Sequence, residues 1–225
     1  MELKQVIENL GNHLSPYSIF LYGSKATNSD NRNSDYEIGV IFEDDKYVSR
    51  QVIADLINDK NYAIFSFRLT EIMNYSIDTP FQKNIYMNAL IQGGSKTLYG
   101  NPVLENLEAP KITKEDLLAD INFNLGIALS SVRVFKVGNL ELANDMFYKS
   151  CFYATRDLIY FHLNKLCLSY NEIYEVSKQI DIPDQYREIL EIAFSLRNLK
   201  EVEVPSGIYF KNISYINKFV INELK

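Results

Sequence analysis

The chain has 225 residues, 47% of them hydrophobic and 23% charged, with a net charge of −6; that length builds one large domain or two modest ones, each with a real core. The composition is that of a globular protein and excludes a disordered or fibrous chain. Residues 1–106 carry 9 basic and 13 acidic side chains and residues 107–225 carry 14 and 16, with Lys and Arg scattered singly, so a polynucleotide substrate, which needs clustered cations, is not expected.

Apolar residues Leu3, Val6, Ile7, Leu10 and Leu14 recur at helical spacing and predict a helix over 2–14, followed by Pro16. A short strand is expected from Tyr17 to Tyr22, a polar loop over Ala26–Ser34, and a second strand from Tyr36 to Phe42. Val48–Ile57 reads as a helix, Tyr62–Leu69 as a third strand, and Thr70–Tyr75 and Phe81–Ile91 as helices, the latter with Thr79 as its cap and Pro80 at its start. Lys96–Gly100 completes the sheet as an edge strand.

Asn101-Pro102 to Ala109-Pro110 reads as a linker, and beyond it strand signals stop. Thr113 with Asp116 forms a capping signal for a helix to about Lys136, and Gly138-Asn139 breaks it. A second long helix is expected over Leu140–Leu166, with a wide apolar stripe through Leu142, Met146, Phe147, Cys151, Ala154, Leu158, Phe161 and Leu166. Shorter helices follow at Tyr170–Gln179, Pro183–Leu196 and Ile213–Leu224. The expected fold is therefore α+β: a small mixed sheet in residues 1–106, then an all-α helical bundle in 107–225. The apolar runs Ile38–Phe42 and Leu158–Leu163 are too short to span a bilayer, and Met1-Glu2-Leu3-Lys4-Gln5 lacks the features of a signal peptide. No membrane partner and a cytoplasmic location are expected, with Cys151 and Cys167 as buried helical thiols.

The chemistry is concentrated in Phe20-Leu21-Tyr22-Gly23-Ser24 and Ser34-Asp35-Tyr36-Glu37. Side chains alternate along a strand, so Asp35 and Glu37 project from one face and can hold a metal ion between them. Gly23 lets backbone approach a phosphate, Ser24 adds a hydroxyl, and Lys25 is placed to contact a triphosphate. Together they describe a site for a Mg²⁺-bound nucleoside triphosphate such as ATP. This ordered pattern resembles the DNA polymerase β-like nucleotidyltransferase superfamily, and the two-domain plan is similar to its kanamycin nucleotidyltransferase type. The resemblance implies transfer of adenylate to a hydroxyl, with a small molecule or a protein as acceptor. It also implies two Mg²⁺ ions, a helical domain over the cleft and an acceptor site shared across a homodimer.

The same resemblance implies a further carboxylate on the third strand, where Ala63-Ile64-Phe65-Ser66-Phe67 offers none. It places a general base near Gly126, where Asn122, Asn124 and Ile127 are not bases. Asp120 is the preferred substitute, because a helix over the cleft could aim it inward; Glu71 and Asp116 are the other candidates. Two alternatives stand beside the transferase. One is a nucleotide-binding or regulatory module that has lost catalysis. The other is a ribonuclease resembling the HEPN type through Arg156, Asp157 and His162, against which stands a plain Arg156–Asp157 ion pair.

Overall fold

A computed structural model describes residues 1–31, 34–198 and 204–225. The chain divides into two compact units, Met1–Lys111 and Ile112–Lys225. The first is a four-stranded mixed sheet in the order β3-β2-β1-β4, formed by β1 (Ser18–Tyr22), β2 (Tyr36–Phe42), β3 (Tyr62–Arg68) and β4 (Ser95–Gly100). β1 pairs antiparallel with both β2 and β4, while β2 and β3 run parallel. Every residue of β1 is buried, as its central place between two neighbours and two covered faces requires.

Alternation along the strands sorts the sheet into two faces. Ile19, Leu21, Ile38, Val40, Phe42 and Ile64 pack under α1 (Leu3–Leu14) and α2 (Arg50–Ile57), against Val6, Leu10, Ile53 and Ile57. Phe20, Tyr22, Ile41 and Phe67 face the other way, toward Ile72 of α3 (Leu69–Met73) and Met87 of α4 (Lys83–Ala89). Asp44, just after β2, accepts hydrogen bonds from the Thr70 amide (3.2 Å) and hydroxyl (2.5 Å) and so fixes the start of α3 against the sheet.

The helix expected from Phe81 begins two residues later. Gln82 is its cap, its side chain accepting from the Ile85 amide at 3.0 Å, while Thr79 accepts only from the Phe81 amide. The Thr79-Pro80 signal therefore shapes the turn before the helix. α2 likewise starts at Arg50, leaving Val48 outside it.

In the second unit, α5 (Lys114–Lys136) opens on the expected reciprocal cap: the Asp116 amide donates to Thr113 Oγ1 at 3.2 Å, and the Thr113 amide to Asp116 at 2.8 Å. α6 (Leu140–Leu163) follows after Gly138, whose φ is +87°, and the short turn makes α5 and α6 a hairpin. Asn164, in left-handed geometry, ends α6 short of the Leu166 that its apolar stripe suggested. Phe147, Cys151, Ala154 and Leu158 are buried as expected, whereas Leu142 and Phe161 are exposed. α7 (Tyr170–Ser177) and α8 (Asp184–Arg197) cover that buried face.

The last helix is longer than expected. α9 starts at Ser206 after Pro205 and runs from Ser206–Ser214 through a wide turn, Tyr215–Val220, to Ile221–Glu223. Gly207 hid that first turn from the sequence pattern. By length and apolar content α5 could cross a bilayer, but it buries Leu117, Asp120, Ile121 and Asn124 within the unit, as a core helix does.

A tight fit on the site-bearing face is found at Gly39 of β2. A Cβ there would stand 2.1 Å from the Phe20 ring, deep in the layer that also holds Phe67, stacked on Phe20 at 6.0 Å. Gly39→Ala should therefore destabilise the sheet unit by about 1–3 kcal/mol through overpacking, read as a lower urea midpoint at unchanged m-value. An unchanged midpoint would show that the Phe20 ring moves aside freely.

Candidate nucleotide-binding site

β1 ends at Tyr22, and the chain turns through a short 3₁₀ segment, Gly23–Lys25. Gly23 has φ +70°, a conformation that glycine adopts without steric cost. The turn closes on itself: the Ala26 and Thr27 amides donate to the Gly23 carbonyl at 3.1 and 3.2 Å, and the Ser29 amide to the Ser24 carbonyl at 2.9 Å. The bonded carbonyls are thus drawn into the turn, and the amides of its first residues are the groups that such a turn leaves unpaired along its own chain.

The antiparallel register sets Glu37 directly opposite Tyr22. The Glu37 side chain then leans over the turn, so that a Cβ on Gly23 would lie 1.8 Å from Glu37 Oε2. Glycine at position 23 is required twice, by the positive φ and by the carboxylate against its Cα. Asp35 stands two residues before Glu37, exposed, immediately ahead of β2, on the parity that points to the Phe20–Tyr22 face. The structure thus brings Gly23, Ser24 and Glu37 together at the strand end, with Asp35 adjoining.

Lys25 is directed elsewhere. Its Nζ is 2.7 Å from Asp30 and 4.9 Å from the centre of the Tyr36 ring, and Tyr36 belongs to the α1–α2 side, stacked on Tyr62 at 5.1 Å. Tyr22 is buried, with 6% of its surface accessible. Its ring meets Phe65 at 6.1 Å and Tyr86 at 6.3 Å, both edge-on. Burial raises its phenol far above the ordinary value, with Tyr86 and Glu37 adding to the shift and Arg50 opposing it.

β3 carries no acid on this face. Ala63 pairs with Glu37 and Phe65 with Gly39, and among the described residues no group of three or more His, Cys, Asp or Glu side chains is arranged to hold a metal. Asp35 and Glu37 are hard oxygen donors, of the kind that Mg²⁺ takes. Tyr86, Phe65 and Arg50 were not singled out by the sequence. Periodicity places Phe65 and Tyr86 on the right faces, but no local pattern joins them to Tyr22.

The acids considered as substitutes have structural employment. Glu71 accepts from the Arg68 amide at 2.8 Å, at the start of α3, and Asp116 belongs to the α5 cap. Asp120 is 4% exposed, not on a solvated face, and its carboxylate accepts from Arg156 and from Asn124, both at 2.9 Å. Arg156 also donates to Asp157 at 2.9 Å, so one guanidinium bridges two buried carboxylates. His162 keeps different company, its Nε2 3.6 Å from Glu223. Cys151 is buried on α6, and Cys167 is buried in the segment after that helix, not on it; both are free. Burial holds the Cys151 thiol far above its ordinary value and pushes Cys167 up to about 11, which leaves both unreactive.

The fold of the chain is α+β, a mixed four-stranded sheet unit followed by a helical unit. It is similar to that of a spectinomycin adenyltransferase from Enterococcus faecialis whose structure contains ATP and spectinomycin, with a TM-score of 0.63, 16% identity, and coverage of 97% of this chain and 98% of that one. No protein-family model matches the sequence, and no curated protein does.

The buried cluster on α5 and α6 generates a pH test. Burial, reinforced by Asp120 and opposed by Arg156, holds the Asp157 carboxyl well above its ordinary value. A carboxyl raised on folding adds stability that is fully present below its unfolded pKa of about 3.9 and is lost as pH rises through the folded value. Asp157→Asn removes that titration, so the thermal midpoint of the variant should fall less than that of the wild type as pH rises from about 4. Parallel pH profiles would show Asp157 to be ionised in the fold.

Proposed function

We propose that the protein is a nucleotidyltransferase that passes adenylate from Mg-ATP to a hydroxyl of a small, aminoglycoside-like molecule, working in the cytoplasm where ATP is supplied. The observation that carries this reading is the Glu37 carboxylate lying against the positive-φ Gly23 at the end of β1, with Asp35 two residues before Glu37. The fold shared with an adenyltransferase supports it.

In this reading Gly23 and Ser24 hold the β- and γ-phosphates, Lys25 joins them on leaving Asp30, and Asp35 and Glu37 hold Mg²⁺. The metal, when bound, supplies charge neutralisation on the phosphates. The acceptor oxygen bonds to the α-phosphorus, the bond from that phosphorus to the pyrophosphate oxygen breaks, and the hydroxyl proton passes to a base. Asp120 is the proposed base, and the role demands that Arg156 and Asn124 release its carboxylate. That demand, with the missing acid on β3, is the specific ground for a second reading in which the protein binds nucleotide without transfer. Loss of a general base typically lowers a rate by about 10²–10⁴, which leaves transfer detectable.

The test is incubation with labelled ATP, Mg²⁺ and a panel of aminoglycosides and spectinomycin, alongside an Asp35→Asn, Glu37→Gln variant. Label should move to a small hydroxyl compound in the wild type and fall by roughly 100-fold or more in the variant. Mg-ATP binding without transfer would select the second reading. Equal behaviour of the wild type and the variant would refute both.

A further inference from the structure

One divalent cation would balance Asp35 and Glu37, so the roughly four negative charges of a bound triphosphate call for further cations. Lys25, which follows Ser24, would bring one positive charge on leaving Asp30. On β3, where a third acid is missing, the site face presents Phe65, and a cation is stacked on it: the Arg50 guanidinium lies 4.2 Å from the ring centre. Arg50 is the first residue of α2, a helix of the opposite face, so its side chain reaches round the edge strand β3 to arrive there. It is close enough to Tyr22 to oppose the rise in that phenol's pKa, a rise to which Glu37 contributes. Tyr22, Phe65, Glu37 and Arg50 are therefore neighbours on one face. Among the described residues no carboxylate lies within 4.0 Å of the guanidinium.

We propose that Arg50 is a triphosphate-binding residue that receives the pyrophosphate end of the nucleotide, an inference that rests on the nucleotidyltransferase reading above. Stacking on Phe65 fixes the plane of the guanidinium by cation–π attraction and leaves its N–H donors directed outward at the ring's edge. A planar fork of that kind matches two phosphate oxygens at once. As the bond between the α-phosphorus and the bridging oxygen breaks, the departing pyrophosphate gains the electron pair and its charge, and a fixed guanidinium stabilises it there. Arg50 in this place makes the acid-poor third strand a cation-bearing wall.

The test compares Mg-ATP affinity of the wild type, Arg50→Ala, Arg50→Lys and, as a control on a neighbouring exposed cation, Lys60→Ala, by titration calorimetry. Arg50→Ala should weaken binding by about 10-fold or more, the effect of losing a charge-assisted contact. Arg50→Lys, which keeps the charge and loses the fork, should fall between, and Lys60→Ala should match the wild type. Thermal midpoints of all four should agree, since Arg50 is exposed. A wild-type affinity in Arg50→Ala, or an equal loss in Lys60→Ala, would overturn the role of Arg50 while leaving the nucleotide site intact. Absence of Mg-ATP binding in the wild type would overturn the site itself, and Arg50's role with it.

Discussion

The candidate site depends on one steric contact, that of the Glu37 carboxylate with the Cα of Gly23. The antiparallel register of β1 and β2 sets Glu37 opposite Tyr22, and the next residue along must lack a side chain for the carboxylate to lie where it does. That register is held on both faces of the sheet, by Ile19, Leu21, Ile38 and Val40 on one and by Phe20, Tyr22 and Ile41 on the other. A slip of one residue would carry every one of these side chains to the wrong face. The position of the acid is thus guaranteed by the core, and the turn that follows is shaped to receive a group against its backbone.

Charge is handled differently in the two units. In the sheet unit Asp35 and Glu37 lie at the start of β2, and the rings beside them are aromatic: Tyr22, Phe65 and Tyr86. In the helical unit Asp116, Asp120 and Asp157 have partners within the unit. Asp116 caps α5, and Arg156 ties Asp120 on α5 to Asp157 on α6. Burying such a bridge brings little net stability, because desolvation offsets the attraction, but removing one partner leaves a buried charge exposed to that cost.

Much of this was legible from local pattern. The limits of β2 and the cap of α5 follow directly from alternation and from the Thr113–Asp116 pair, and the Gly-Ser and Asp-x-Glu motifs define the candidate site by their order and spacing. What failed was decided by competition between local signals or by distant partners. Gln82 outcompeted Thr79-Pro80 as the cap of α4. Glu71 also holds the start of α3, a role that reads like that of a catalytic carboxylate in a sequence. Arg50 was invisible because its stack on Phe65 joins a helix on one face to a strand side chain on the other. Nothing in the spacing of residues 50 and 65 announces that path.

The account stands on the claim that Asp35 and Glu37 form a metal-binding pair beside the Gly23 turn. The most direct measurement is a crystal structure with Mn²⁺ and a non-hydrolysable ATP analogue, using the anomalous signal of the metal to locate it. The account predicts a single anomalous peak bonded to oxygens of both Asp35 and Glu37 at roughly 2.1–2.2 Å, with analogue phosphates against Gly23 and Ser24. A metal bound away from that pair, or a nucleotide seated elsewhere in the protein, would contradict it.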